Sequence, residues 1–212
     1  MVMSVAAAQA RGKSSEDKIF GANNRATALA DKIGADKVIN GTVGSLLDEE
    51  GNLVMLDVVK DAFKQLTSRE IGSYAPILGY PEYLDAVIDQ CFGESKPQGY
   101  IRACVTSGGS GALHHIIHNY SEIGDEILTS DWHWGAYNSM CIDNGRTLRE
   151  FELLRQDGTF NLESFKEHVS ALMAKQTNTV IIINSPANNP TGFALSSKDW
   201  DDVLDFLTRS IE

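Results

Sequence analysis

An α/β fold is predicted for this chain of 212 residues: three layers, α/β/α, with a mostly parallel sheet in the middle and a helical N-terminal segment ahead of it. From about residue 98, short apolar stretches alternate with longer stretches of helical periodicity, which is the order that produces parallel strands joined by helices. Residues 179–183, TVIII, form a β-branched run typical of a strand buried on both faces. Ahead of residue 98 the pattern is helical, with glycine-rich loops.

In this first part, helices are predicted over residues 17–33, 53–69 and 82–92. The second of them carries apolar residues at Val54, Leu56, Val59, Phe63 and Leu66. Pro81 stands at the start of the third, where the missing N–H of proline does no harm. Two irregular stretches, 38–51 and 71–82, lie between these helices, and long irregular stretches in a compact chain are often functional.

The second part is predicted to contain strands at residues 99–106, 125–130, 147–153 and 178–184. Helices are predicted at residues 110–120, after Trp134, at 161–175 and at 196–212. Asn161 begins the third of these helices, and Ser196 with Asp199 forms a plausible capping pair for the last. The inner stripe of the last helix is predicted to consist of Trp200, Val203, Leu204, Leu207 and Ile211.

The composition is that of a globular protein, with 42% hydrophobic and 22% charged residues. A net charge of −11 argues against a nucleic-acid binder, which needs a basic face. No apolar run approaches the ~18 residues of a membrane span. We therefore expect a protein without nucleic-acid or membrane partners.

Two features bear on the cellular compartment. The start of the chain, MVMSVAAAQARGKSS, places its apolar part before its charges, which is the wrong order for a secretory signal and favours a loose N-terminal arm. Cys91, Cys104 and Cys141 are odd in number and form no CxxC pair. They are predicted to be reduced, mostly buried thiols of a cytoplasmic protein.

The first candidate site is the glycine-rich stretch TSGGSGAL, residues 106–113, where a predicted strand meets a predicted helix. Backbone N–H groups at a helix N-terminus attract a phosphate, and glycine allows it to come close. The stretch is not the dinucleotide fingerprint, because His114 stands where the third glycine would be. A glycine-rich turn that binds nothing remains the alternative.

Two further candidates follow later strands. SDWHWGAY, residues 130–137, crowds Trp132, His133, Trp134 and Tyr137 into one loop, which suits a flat aromatic ligand or plain core packing. NNPTG, residues 188–192, has the residue order of an ordinary turn. Because the carboxyl ends of parallel strands meet at one edge of a sheet, these loops are expected to lie together, where such folds bind ligands.

A metal site is not predicted. His114 and His118 stand four residues apart on a predicted helix and could share an ion, but no third ligand lies at a suitable spacing.

Together these stretches resemble the fold-type I, pyridoxal-phosphate-dependent aminotransferases, in particular the aspartate and aromatic aminotransferase branch. The resemblance extends from about residue 19 through NGTVGSLLDEEG, SYAPILGYPEYLDAV, TSGGSGAL, SDWHWGAY and NNPTG, in that family's order. It implies residues 1–52 as an N-terminal arm with part of a small domain, and residues 53–212 as the front part of a large cofactor-binding domain. The substrates it implies are an amino acid and a 2-oxo acid.

The resemblance also implies the binding residues for pyridoxal 5′-phosphate. Gly108, Gly109 and Ser110 would hold the phosphate. Trp134 would stack on the pyridine ring, and Asn189 would donate a hydrogen bond to the phenolic oxygen, with a cis peptide bond between Asn189 and Pro190.

Two further residues carry implications for substrate and assembly. Gly44 matches the glycine whose backbone lines the substrate carboxylate pocket. Tyr74 matches a tyrosine that reaches the phosphate of the neighbouring subunit, which implies a homodimer.

The chain departs from the aspartate branch at Tyr137, Asn184 and Asn188, where histidines are common, so the substrate assignment is open between aspartate and aromatic types. The Schiff-base lysine, the aspartate at the pyridine nitrogen and the substrate arginines are all expected beyond Glu212, so no catalytic residue is assigned and the chain alone is expected to be inactive. Two alternatives stay open: a nucleotide-binding doubly wound module and a non-catalytic domain.

Overall fold

The computed structural model describes residue 5 and residues 18–211 of the chain. The described residues divide into two compact units, one up to Ala75 and the other from Pro76 onward. The domain boundary expected at residue 52 stays a prediction, and the N-terminal arm falls almost wholly outside the described residues.

The first unit is helical. Its helices are α1 (Lys18–Ile33), a 3-10 turn (Ala35–Lys37), α2 (Asp57–Gln65) and α3 (Ser68–Gly72). The single helix predicted over residues 53–69 is therefore two, because Thr67 begins a new helix. Its hydroxyl accepts from the Glu70 N–H (3.2 Å) and the Glu70 carboxylate accepts from the Thr67 N–H (2.8 Å), which is a complete capping box.

The second unit contains both helices and strands. They are α4 (Pro81–Phe92), a 3-10 turn (Gly93–Ser95), α5 (Gly108–Tyr120), β1 (Glu126–Ser130), α6 (Ala136–Asp143), β2 (Thr147–Phe151), α7 (Leu162–Met173) and α8 (Ser197–Ile211). Pro81 is the first residue of α4, and the Asn161 side chain caps α7 by accepting from the Ser164 N–H (3.1 Å), both as predicted. None of the helices within residues 18–211 combines the length and apolar character needed to cross a bilayer.

The sheet is parallel. β1 and β2 pair in register from Glu126 opposite Thr147 to Ser130 opposite Phe151. On the other side of β1, Leu128 forms a parallel bridge with Ile181, in which Leu128 N–H donates to the Val180 carbonyl (3.0 Å) and Ile182 N–H to the Leu128 carbonyl (2.8 Å). The order across the sheet is therefore β2, β1 and the stretch around Ile181.

Helices cover both faces of this sheet. Successive residues of a strand point to opposite faces, and Ile127 and Leu128 accordingly belong to different hydrophobic clusters. Leu128 packs with residues of α7 and α8, including Phe165 and Val203, whereas Ile127 packs with residues of α5 and α6. The three-layer α/β/α arrangement is confirmed in the described part of the chain.

The predicted strands are longer and more numerous than the observed ones. Residues 99–106 contain no strand, because an extended stretch becomes a strand only beside a neighbour that pairs with it. The Val105 backbone N–H, for example, donates to the carbonyl of Leu78 (2.9 Å), which is a loop residue and not part of a strand. The stretch 178–184 likewise forms one bridge instead of a full strand.

Helix α8 follows its prediction with one exception. Trp200, Val203 and Leu207 pack on the core. Leu204 is 55% exposed, because it is the next residue after the fully buried Val203 and so points about 100° away around the helix. The side chain of Ile211, also predicted for the stripe, lies outside what the structure describes.

Candidate functional site

A cleft of about 430 Å³ lies in the second unit, a size suited to a small ligand. Its lining residues come from the start of α5, the loop after β1 and the stretch after Ile183; they are Gly109, Ser110, Leu113, Trp134, Tyr137, Asn184, Ala187 and Asn189. The loop after β1 and the stretch after Ile183 both follow the carboxyl ends of neighbouring parallel segments, which is the usual ligand position in such sheets. Four residues predicted from three separate motifs thus share one cleft: Gly109, Ser110, Trp134 and Asn189.

The start of α5 offers unpaired donors. Gly108 has φ of +67°, which favours glycine, and a Cβ added at Gly108 or Gly109 would meet no atom within 4 Å. Among the described residues, no oxygen accepts from the backbone N–H of Gly109 or Ser110, and the Ser107 side chain makes no cap bond. Free N–H groups beside open space at the positive end of a helix can bind an anion.

One side of the cleft is formed by Trp134, in the loop after β1, and by Tyr137, at the start of α6. The Trp134 indole is half-buried and meets the Tyr137 ring edge to face, with centroids 5.8 Å apart. Tyr137 is buried in the cluster shared by α5 and α6, and burial raises the pKa of its phenol. This packing supports the indole from one side, and the indole lines the cleft.

The asparagine stretch completes the cleft. The Asn189 backbone N–H donates to the side-chain oxygen of Asn184 (2.7 Å), which orients this part of the chain. The Asn189 side chain is exposed and lines the cleft, and no bond to it is recorded among the described residues. Its amide is therefore available to a ligand. The Asn189–Pro190 peptide bond is cis, as predicted, and so is the unpredicted Ser185–Pro186 bond.

A second asparagine, Asn188, links this stretch by a hydrogen bond to the loop that contains Trp132 and Trp134. The Asn188 side chain is buried and donates to the Trp132 carbonyl and to the Thr191 hydroxyl, both at 3.0 Å. The hydroxyl of Ser130 donates to the same Trp132 carbonyl (2.8 Å). The loop before Trp134 and the turn around Asn189 are consequently held by shared hydrogen bonds.

Gly44 and Tyr74 belong to the first unit and are not among the residues that line the cleft. The Tyr74 side chain is fully exposed, and a Cβ added at Gly44 would meet nothing within 4 Å. The substrate role of Gly44 and the intersubunit role of Tyr74 stay predictions.

Some residues that line the cleft were not predicted from the sequence as binding residues. Asn184 was named only as a departure from a family pattern, whereas Tyr137 was also named among the aromatic residues of the loop at 130–137. Ala187 was not predicted. The spacing of Asn184, directly after a buried apolar run and five residues before Asn189, is a signal that could have identified it. Ala187 has φ of +57°, a backbone conformation that the sequence does not reveal.

The burial of the cysteines differs from the prediction. Cys91 and Cys104 are exposed and only Cys141 is buried, so the thiols are not mostly buried. All three are free. Within the described part of the chain, no group of three or more histidine, cysteine, aspartate or glutamate residues is placed to hold a metal ion, and His114 instead lies 2.9 Å from the Asn144 amide nitrogen.

Comparison with known proteins identifies the family. The model of the family described as aminotransferase class I and II matches residues 36–211. The chain belongs to this family. Among curated relatives, the mitochondrial aspartate aminotransferase of Schizosaccharomyces pombe is 26% identical over 198 residues, which are 91% of this chain and 44% of that protein. The aromatic-amino-acid aminotransferase of Escherichia coli is 27% identical over 182 residues, 82% of this chain and 45% of that protein.

The fold of this aminotransferase chain also matches solved structures. A crystal structure of an aminotransferase from Anaerococcus prevotii superimposes with a TM-score of 0.94 at 38% identity, covering 98% of this chain and 51% of that one. The aspartate aminotransferase from the cytoplasm of Saccharomyces cerevisiae matches in fold, with a TM-score of 0.77 at 21% identity over 93% of this chain and 48% of the yeast chain. The chain spans about half the length of the curated relatives it matches.

Proposed function

We propose that this chain forms the phosphate-binding and ring-binding side of the pyridoxal-phosphate site in a transaminase. The enzyme would move an amino group between an amino acid of aspartate or aromatic type and a 2-oxo acid. The observation that carries the proposal is the cleft itself, in which an open helix N-terminus, an indole and an unpaired amide meet. Family membership supports the same reaction class.

The residues present fit this cofactor. The free N–H groups of Gly109 and Ser110, with the Ser110 hydroxyl, suit a phosphate at the start of α5. The Trp134 indole suits a flat pyridine ring. The Asn189 amide can donate to an oxygen anion on that ring. When bound, pyridoxal phosphate supplies an electron sink for the carbanion formed beside the amino group.

The work of this chain is accordingly to bind and orient. The hydrogen bond from the Asn189 N–H to Asn184 and the bonds of Asn188 hold the amide-bearing turn in place, so that donors are aligned before a ligand arrives. We assign no proton transfer to the residues that line the cleft. Tyr137 is their one ionisable member, and burial raises its pKa further from neutrality.

We place the lysine that would bind the cofactor covalently outside residues 1–212. Lys198 is a poor candidate, because it lies at the exposed start of α8 and pairs with Asp202. The hydrogen bond and charge of Asp202 raise the pKa of Lys198, which keeps its amine protonated and non-nucleophilic. No lysine is among the residues that line the cleft, so the chain alone is proposed to bind pyridoxal phosphate without forming an imine and without catalysing transamination.

The proposal extends to assembly and compartment. The full exposure of Tyr74 is compatible with contact to a second subunit in a homodimer. The free exposed thiols of Cys91 and Cys104 are compatible with a reducing compartment such as the cytoplasm.

A glycine pair tests the phosphate assignment. Gly109→Ala places a methyl group in the open space at the start of α5 and is expected to weaken binding of pyridoxal phosphate about tenfold, since each 1.4 kcal/mol is tenfold in affinity. Binding is measured by quenching of tryptophan fluorescence. Gly99→Ala is the matched control, because a Cβ there also meets nothing within 4 Å but the residue lies outside the cleft.

Equal affinities in the two variants would remove Gly109 from the binding site. Retention of ATP or NAD, with no affinity for pyridoxal phosphate, would instead favour the nucleotide-binding alternative. An imine band in the visible spectrum of the 212-residue chain would contradict the placement of the lysine.

A further inference from the structure

His133 stands directly before Trp134, and the functions assigned so far do not use it. Its side chain is only 12% exposed. Its Nδ1 lies 2.9 Å from the carbonyl oxygen of Trp134, and its Nε2 lies 3.0 Å from a carboxylate oxygen of Glu150 on β2. Both ring nitrogens are therefore engaged, one with the main chain of the tryptophan and one with the sheet.

Each of these contacts requires a hydrogen on the ring nitrogen that makes it. A carbonyl oxygen and an ionised carboxylate are both acceptors, so each nitrogen must carry a hydrogen to bond to its partner. A neutral imidazole has one N–H, and the imidazolium has two. The arrangement is thus complete only when His133 is an imidazolium paired with Glu150.

The same histidine packs on the ring that supports Trp134. His133 stacks on Tyr137 with centroids 5.8 Å apart and planes inclined by 17°. Trp134 meets Tyr137 edge to face at 5.8 Å, and the Trp134 carbonyl also accepts from the Tyr137 N–H (3.0 Å). Among the described residues, two titratable groups meet His133: Glu150 from β2 through a hydrogen bond and Tyr137 from α6 through ring stacking.

Trp134 is consequently restrained through His133 at its carbonyl and through Tyr137 at its ring. Breaking the His133 bonds would free the carbonyl of Trp134 from one of its two recorded donors. The adjacent indole would then have more orientations available, and a ligand that stacks on it would have to restrict them on binding.

We propose that His133, as an imidazolium held by Glu150, is a positioning residue that orients the indole of Trp134 toward the ligand in the cleft. The identity of that ligand as pyridoxal phosphate rests on the proposed function. The orientation of the indole is a property of the chain itself and is testable without any ligand.

The first test follows the indole directly in the 212-residue chain. Tryptophan is replaced by 5-fluorotryptophan, the Trp134 fluorine resonance is assigned with Trp134→Phe, and the ring nitrogens of His133 are followed by ¹⁵N NMR in the same pH titration. We expect the Trp134 resonance to change over the pH range in which His133 loses a proton. His133→Phe keeps a ring on Tyr137 but has no donor, and it is expected to abolish that change.

His168→Phe is the matched control. His168 on α7 also has its Nδ1 near a carbonyl, that of Ser164 at 2.8 Å, but it does not line the cleft. The Trp134 titration should be unaltered in this variant.

The second test uses two ligands, both detected by fluorescence quenching or ligand NMR. His133→Phe is expected to weaken pyridoxal 5′-phosphate about fivefold, the equivalent of one ordinary hydrogen bond. It should leave inorganic phosphate unchanged, because phosphate needs the start of α5 and not the indole. Glu150→Ala should act in the same direction, since it removes the acceptor for Nε2.

The outcomes separate this inference from the proposed function. A Trp134 resonance that ignores the titration of His133 overturns the inference, as does equal binding of pyridoxal phosphate by wild type and His133→Phe. If the wild-type chain binds no pyridoxal phosphate, the proposed function fails, and the fluorine titration still decides whether His133 positions the indole.

Discussion

At the scale of single residues, the cleft depends on amides that orient one another. Asn189 points its side chain into the cleft while its backbone N–H is held by the side chain of Asn184 at 2.7 Å. A fixed donor needs no reorganisation when a charged oxygen arrives, which is why such alignment contributes to binding and catalysis. Asn189 supplies the side-chain amide that would contact the ligand, and Asn184 holds the backbone that positions this amide.

This arrangement predicts that Asn184→Ala weakens binding of pyridoxal phosphate about fivefold, the effect of one lost hydrogen bond. The measurement is a fluorescence titration of the variant against the wild type. Asn178→Ala is a suitable control, because Asn178 is exposed and does not line the cleft. Unchanged affinity in Asn184→Ala would mean that Asn189 holds its position without this bond.

The cysteines give a second prediction at this scale. Burial raises the pKa of the Cys141 thiol to about 11, and the nearby Arg146 guanidinium acts in the opposite direction. Because only the thiolate reacts with iodoacetamide, Cys141 should resist alkylation at a pH of about 8 while the exposed Cys91 and Cys104 react.

Mass spectrometry should find two adducts on the folded chain and three after unfolding in urea, since the chain has 3 cysteines. Rapid modification of Cys141 in the folded chain would contradict its burial.

At the scale of elements, helix α8 begins with a reciprocal cap. The Ser196 hydroxyl accepts from the Asp199 N–H (3.2 Å), and the Asp199 carboxylate accepts from the Ser196 N–H (2.9 Å). This confirms the capping pair predicted from the sequence. The cap matters to the core because Val203, one turn further on, is fully buried in it.

Ser196→Ala is expected to lower the free energy of unfolding by about 1 kcal/mol, the usual effect of losing an N-cap hydroxyl. Thermal or urea unfolding followed by circular dichroism measures the change. Ser197→Ala is the matched control: this serine is exposed, and an exposed substitution of this kind should change stability by less than about 0.5 kcal/mol. Equal losses in both variants would contradict the cap.

At the scale of the whole molecule, the net negative charge of the chain opposes the approach of a negatively charged phosphate ligand. The chain carries a net charge of −11, and Tyr137 is the one ionisable residue that lines the cleft. A phosphate anion is therefore repelled at long range and attracted only near the start of α5. Salt should weaken the repulsion, since the screening length falls to about 10 Å at 0.1 M ionic strength.

The association rate of pyridoxal phosphate is consequently expected to rise with added salt. The binding of a protein to nucleic acid, in contrast, weakens as salt is added. Stopped-flow fluorescence measures it, and pyridoxal, which has no phosphate, serves as the control with a rate that salt should barely change. A rate that falls with salt for the phosphate alone would indicate a local positive field that the described residues do not account for.

Particular elements show how far the sequence could predict this molecule. The caps at Asn161 and Ser196 are local, because a side chain that accepts from the backbone N–H three residues later needs no other part of the chain, and both were predicted correctly. The prediction of a strand at residues 99–106 was wrong, and so was the prediction of a single helix over residues 53–69, where the structure has two helices. The first error concerns pairing with a distant neighbour, whereas the second overlooked the local capping box at Thr67 and Glu70.

The sequence by itself determined the α/β fold class, most of the helices and the motifs that supply the cleft, because periodicity, capping and turn chemistry depend on residues close together in the chain. The sequence also predicted that these motifs lie together, and the structure places Gly109, Trp134 and Asn189 in one cleft. Only the tertiary structure decided that the Asn184 side chain orients Asn189 and that His133 lies between Trp134 and Glu150. The physical reason is that these contacts depend on the path of the backbone after each strand and on which strands pair, and a sequence pattern specifies neither.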